Sequence, residues 1–120
     1  MNLAELQNIY HQPFFDLIQQ ARNVYLEHWK GDEVQLCTLL SIKTGGCSED
    51  CGYCAQSARY STGVKAGKLM STEEVVAKAK AARDNGSTRF CMGAAWKGVR
   101  DGDPRFEQVL ETVREVAKLG

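Results

Sequence analysis

The sequence predicts an α/β fold built on parallel strands. Three observations carry that expectation. Short apolar runs of strand length alternate with amphipathic stretches of helical period, the helical stretches after the first strand open on recognisable caps, and a long glycine-rich segment follows the first strand. The composition allows it: 120 residues suffice for one domain, and 43% hydrophobic with 25% charged residues excludes a disordered or collagen-like chain. Fifteen basic side chains balance fifteen acidic ones. No net field draws such a chain to nucleic acid or an anionic bilayer, so small-molecule chemistry is the expectation. No run approaches the roughly 20 apolar residues of a membrane span, and Met1-Asn2-Leu3-Ala4-Glu5 lacks the basic start of a targeting signal. A cytoplasmic location is expected.

From Pro13 to Glu27 the apolar residues Phe14, Leu17, Ile18, Ala21 and Tyr25 recur at three-to-four spacing, predicting a helix with Gly31 beyond its end. Residues 1–32 therefore read as an N-terminal helical extension and residues 33–120 as the core. Val34 to Ile42 is a short apolar run that predicts a mostly buried strand. Lys43 to Leu69 holds Gly45, Gly46, Gly52, Gly63 and Gly67 without a lasting period, the kind of long loop that carries function in a compact domain. Ser71 and Glu74 form a capping box, and Val75, Val76, Ala79 and Ala82 mark a helix stopped at Gly86. Thr88 to Ala95 predicts a second strand, with Arg89, Cys91 and Gly93 on one face and Phe90, Met92 and Ala94 on the other. Asp103-Pro104 opens a final helix with a stripe at Phe106, Val109, Leu110, Val113, Val116 and Ala117. Alternation implies parallel pairing, and the chain stops where a third strand is expected.

Five cysteines is an odd count, and three crowd into eight residues, which suits a metal site in a reducing compartment better than disulfides. Cys47-x3-Cys51-x2-Cys54 offers three soft thiolates, which select iron–sulfur clusters, zinc or copper(I). Structural zinc asks for four ligands in CxxC or Cys/His pairs, and the histidines, His11 and His28, lie upstream. A ferredoxin would add a nearby fourth cysteine. Three ligands on a four-iron cluster leave one iron open to an exogenous group, as catalytic metal sites do. The spacing, with the aromatic Tyr53 before the last cysteine, resembles that of the radical S-adenosylmethionine (SAM) superfamily; another metal site or a chance pattern remains open on spacing alone.

The flanks narrow the resemblance. Residues 39–57, LLSIKTGGCSEDCGYCAQS, with Arg59-Tyr60-Ser61-Thr62-Gly63, and the later Gly86-Ser87-Thr88-Arg89-Phe90-Cys91-Met92-Gly93-Ala94-Ala95-Trp96, are similar to the cluster loop and second strand of biotin synthases. The likeness runs from about Val34 to the end. It implies the first two β/α units of a (β/α)8 TIM-type barrel after an N-terminal helix, with a cluster-binding loop at 43–70. It also implies the last step of biotin biosynthesis, a sulfurtransferase reaction closing the thiophane ring of dethiobiotin. On that resemblance Cys47, Cys51 and Cys54 hold a [4Fe-4S] cluster whose open iron binds SAM. Reduced, the cluster gives SAM one electron, producing methionine and a 5′-deoxyadenosyl radical, while a [2Fe-2S] cluster donates the sulfur. A flavodoxin or ferredoxin electron donor and a homodimer are implied for the full-length enzyme; nucleic acid and membrane are not partners.

Cys91 is implied as one ligand of the two-iron cluster, the others, two cysteines and an arginine, belonging to later strands. Without the family motif, a lone strand cysteine reads as a buried small hydrophobe. Tyr53 and Ala94 match positions lining the SAM site, against plain packing. Cys37 shares a face with Gln35, Leu39, Ser41 and Lys43, matches the family poorly, and is read as packed and non-ligating; Glu49, Asp50, Lys65 and Lys68 read as solvated charges. Two rivals differ in class: another radical SAM enzyme, which would not require Cys91 and often carries Gly-Gly-Glu where this chain has Met92-Gly93-Ala94-Ala95, and a metal-stabilised binding module complete in 120 residues. The chain alone is expected to be inactive.

Overall fold

The computed structural model describes residues 1–29 and 33–120. By its contacts the chain divides into two units, Met1–Val34 and Gln35–Gly120.

The first unit holds α1 (Leu3–Tyr10) and α2 (Phe14–His28). Helix α2 answers the predicted periodicity, whereas the expected stop at Gly31 lies outside the described residues. Helix α1 was not anticipated. Asn2 caps it: its side chain accepts from Glu5 N at 3.0 Å while the Glu5 carboxylate accepts from Asn2 N at 2.7 Å, a reciprocal box. Neither helix buries a residue, and Phe14 and Phe15 are exposed.

The second unit runs β1 (Cys37–Lys43), α3 (Thr72–Asp84), β2 (Arg89–Ala94) and α4 (Pro104–Ala117). Strands β1 and β2 pair in parallel, with Cys37 opposite Arg89, Leu39 opposite Cys91 and Ser41 opposite Gly93. Parallel pairing across one connecting helix is the βαβ unit expected of the alternation. Strand β1 begins later than the apolar run suggested. The carbonyl of Leu36 accepts from both Thr88 N and Arg89 N, so the chain before Cys37 meets the turn into β2 instead of a strand.

Helices α3 and α4 pack on each other, and α3 also packs on β2. The core collects Ile42 from β1, Val75, Ala79 and Ala82 from α3, and Ala95 just after β2. Val75 is 1% exposed, a burial that stabilises by about 1.5–3 kcal/mol. Caps act as read: Ser71 accepts from Glu74 N, and Asp103 accepts from Arg105 N ahead of Pro104. Hydrogen bonding to Arg105 foremost holds the Asp103 carboxyl below its ordinary range. Gly86 has φ +89°, the left-handed conformation that ends a helix without a Cβ penalty.

The α4 stripe departs from expectation. Thr112 is its buried residue, while Val113 and Ala117 face out. Thr112 Oγ1 donates to Gln108 O within its own helix and lies 2.9 Å from Thr72 Oγ1 at the start of α3, so a satisfied hydroxyl pair occupies the helix seam.

On β1 the alternate residues Cys37, Leu39 and Ser41 are exposed while Thr38, Leu40 and Ile42 are covered. One face of the sheet is therefore covered and the other open, with Leu39 72% exposed.

Candidate metal centre

The 28 residues between β1 and α3 have no regular structure but many anchors. At the neck, Met70 N donates to Ile42 O and Gly67 N to Thr44 O, laying the returning chain beside the end of β1. Lys43 Nζ donates to Gly45 O and to Ala95 O, both at 2.9 Å, tying the loop's first residues to the end of β2. Gly45 and Gly46 have φ +69° and +62°. A Cβ at Gly45 would stand 2.7 Å from Lys65 O, a backbone atom. Gly45→Ala is therefore expected to lose at least about 1–3 kcal/mol; urea denaturation of the intact protein and its iron content after anaerobic reconstitution should fall together.

Within the loop, Cys47 N donates to Gln56 O and Ala58 N to Cys47 O, a short parallel bridge closing the cysteine segment. Cys54 N donates to Cys51 O, and Gly45 N donates to Gln56 Oε1. Ser57, 5% exposed, donates to Glu49 O at 2.6 Å and accepts from Arg59 N. Cys47 is buried, Cys54 half-buried and Cys51 exposed, and all three are free thiols. Among the described residues no three His, Cys, Asp or Glu side chains are grouped closely enough to hold a metal ion. The fold thus gathers Cys47, Cys51 and Cys54 in one pinned loop without converging their sulfurs. The donor set still fits an iron–sulfur cluster: soft, unpaired thiols, two of them accessible, on a backbone fixed at both ends.

Two of the charges read as simply solvated, Glu49 and Asp50, have partners. Lys97 Nζ lies 3.6 Å from Glu49, and Tyr60 donates to Asp50 at 2.7 Å. That hydrogen bond is the main reason the Tyr60 phenol is raised above its ordinary range. These are exposed contacts that contribute little to stability. Tyr53 is 94% exposed, so packing among the described residues does not account for it. Ala94 lies in an apolar hollow of about 260 Å³ with Trp96, Phe106 and Val109, on the α4 side of the sheet.

Cys91 is half-buried on β2, and Cys37 meets it: the two sulfurs stand 3.4 Å apart. Cys37 is exposed, which corrects the reading of a packed cysteine. The shared hydrogen bond with Cys91, then desolvation and the Cys91 charge, raise the Cys37 thiol above its ordinary range, with Arg89 opposing. Sequence parity gives each cysteine a strand face, but their meeting needs the register in which β1 and β2 pair. The roles of Lys43 and Gln56 had no signal in the sequence.

Residues 41–118 match the profile of the Radical SAM superfamily. The chain belongs to that superfamily. Within it, the chain is 57% identical over 118 residues to a biotin synthase of Azoarcus sp. (strain BH72), covering 98% of this chain and 36% of that protein. It is 55% identical to a biotin synthase of Myxococcus xanthus (strain DK1622), over 99% of this chain and 34% of the other. A biotin synthase of Schizosaccharomyces pombe is 53% identical over 96% of this chain and 32% of its own length. The chain spans about a third of the length of these curated relatives. The matched radical SAM residues include the pinned loop, α3, Cys91 on β2, and α4. No helix among the described residues is long and apolar enough to cross a membrane.

Proposed function

We propose that this chain is the cluster-binding N-terminal part of a biotin synthase, an enzyme that inserts sulfur into dethiobiotin using SAM. The observation that carries the reading is more than half identity to biotin synthases along nearly the whole chain, joined to a pinned loop holding three free thiols. In this reading Cys47, Cys51 and Cys54 hold a four-iron cluster. When bound, that cluster supplies the electron that splits the sulfonium of SAM. Cys91 holds one position of a two-iron cluster, Tyr53 and Ala94 border SAM, and the two βαβ strands belong to a (β/α)8 barrel.

The chain's own residues do the positioning. Hydrogen bonds from Gly45 N, Cys47 N and Ala58 N fix the loop around Cys47, and Lys43 fixes the loop against the end of β2, at Ala94 and Ala95 on the strand that carries Cys91. One short span of protein thus sets the distance between the proposed SAM-cleaving and sulfur-donating sites. Dethiobiotin, a flavodoxin or ferredoxin donor and a homodimer in the cytoplasm complete the proposal for the intact protein.

The test is anaerobic iron and sulfide analysis with Mössbauer spectroscopy on the intact protein carrying this chain. Separate four-iron and two-iron signals are expected; a four-iron signal alone favours another radical SAM enzyme.

A further inference from the structure

The loop between β2 and α4 meets the cysteine loop at the surface, where Lys97 Nζ lies 3.6 Å from Glu49. A hollow of about 470 Å³ opens there between Ser48 on one side and Trp96, Lys97, Arg100 and Arg105 on the other. A smaller hollow of about 180 Å³ shares Ser48, Trp96, Lys97 and Arg105 and reaches down to Lys43 at the end of β1. Over the whole chain fifteen basic and fifteen acidic side chains cancel. Around these two hollows they do not: among the described residues the lining groups are the cations Lys43, Lys97, Arg100 and Arg105 and one carboxylate, Asp103. Asp103 is already committed, since it caps α4 and holds Arg105 at 2.9 Å, while Arg105 lies over the Trp96 ring at 5.0 Å. Glu49 takes up part of the charge of Lys97, and Asp101 in the same loop lines neither hollow. Arg100 is exposed, Lys43 is bonded to two carbonyls, and neither has a carboxylate partner among the described residues. The place is therefore locally cationic, and it adjoins Cys47 through the single peptide bond to Ser48.

We propose that this cationic hollow is the docking face for an acidic one-electron donor protein, which delivers its electron beside Cys47. The proposal rests on the reading of Cys47, Cys51 and Cys54 as ligands of a four-iron cluster. The hollow suits a protein surface better than a small anion. It is broad, Val99 on its rim is exposed, and the charged ends of Lys97, Arg100 and Arg105 stand out in solvent around it instead of converging on one point. Exposed charge of this kind steers encounter and sets orientation more than it adds affinity. That suits a donor that has to leave after each electron. The step balances simply: the donor loses one electron, the cluster gains it, and no bond of this chain forms or breaks.

The test compares Arg100→Glu with Lys80→Glu in the intact, anaerobically reconstituted protein. Both reverse one exposed cation, but Lys80 lies on α3, towards the end of that helix that leads into the start of β2. The probe is a flavodoxin of strongly negative net charge, titrated by calorimetry over a range of sodium chloride concentrations. Arg100→Glu is expected to weaken binding at least about fivefold at low salt and to flatten its salt dependence, whereas Lys80→Glu changes it less than about twofold. With reduced flavodoxin limiting, 5′-deoxyadenosine formation should slow in Arg100→Glu alone. Dithionite needs no docking face, so with dithionite both variants should match the wild type. Equal weakening in the two variants, or in neither, overturns the docking face, as does a wild type that does not bind the flavodoxin. In each of those cases dithionite-driven 5′-deoxyadenosine leaves the four-iron reading standing. Absence of 5′-deoxyadenosine from iron-loaded wild type with dithionite removes that reading, and the proposal with it.

Discussion

Replacing Cys47, Cys51 or Cys54 singly with alanine is expected to abolish reductive cleavage of SAM in the intact protein. In the proposed site each change would leave two thiolates for a four-iron cluster that has one iron without a protein ligand. Losing an outer partner of a metal ligand costs about 10–100-fold in affinity or activity, so losing a ligand should cost more than that. The fold should survive unchanged in the Cys51 and Cys54 variants. Cys51 is exposed and Cys54 half-buried, and the loop is held by backbone donors and acceptors that alanine keeps. Cys47 is the exception to watch, because it is buried. The measurement is 5′-deoxyadenosine formed per protein with dithionite as reductant, alongside iron content and the far-UV spectrum. Retained 5′-deoxyadenosine in any one variant would remove that cysteine from the site.

Cys91→Ala is expected to separate two activities. Cys91 sits on β2, outside the pinned loop, so the four-iron site and 5′-deoxyadenosine formation should persist while biotin formation falls to background. Were Cys91 only a packed side chain, the half-buried sulfur would cost about 1 kcal/mol of stability and leave turnover intact. Biotin yield and two-iron content are read on the same sample. Near-normal values of both would sink the ligand assignment.

Much of the fold was legible because its signals are local. Ser71 with Glu74, Asp103 with Pro104, and Gly86 each satisfy or end a helix through neighbours within a few residues, and each does so here. The missed helix α1 had the same kind of signal in Asn2 and Glu5, and Leu3, Leu6 and Tyr10 stand at helical spacing, but eight residues carry that period over only about two turns. Thr112, absent from the predicted stripe, turns inward for a non-local reason. A threonine counts as polar until its hydroxyl finds Thr72, 40 residues away, and burial then follows from pairing. The candidate centre divides along the same line. The cysteine spacing is written in eight residues, whereas the tie from Lys43 to Ala95 that holds the loop, and the approach of Cys37 to Cys91, exist only after β1 and β2 pair. Strand register, which periodicity does not specify between two separate runs, is what brought Cys37 into view.

The two hydrogen bonds that close Cys47 onto Gln56 and Ala58 also fix where this loop can vary in length during evolution or engineering. An insertion between residues 47 and 58 would have to break that bridge or bulge against Ser57, which is buried and bonded to Glu49 O. Farther on, Thr62 still reaches back to Ala55 O, but at Gly63 the chain is exposed, already left-handed at φ +74°, and has open space where a side chain would begin. Extra residues at 63–64 would be absorbed between two anchored borders, so the ligand spacing is insulated from growth of the loop that carries it.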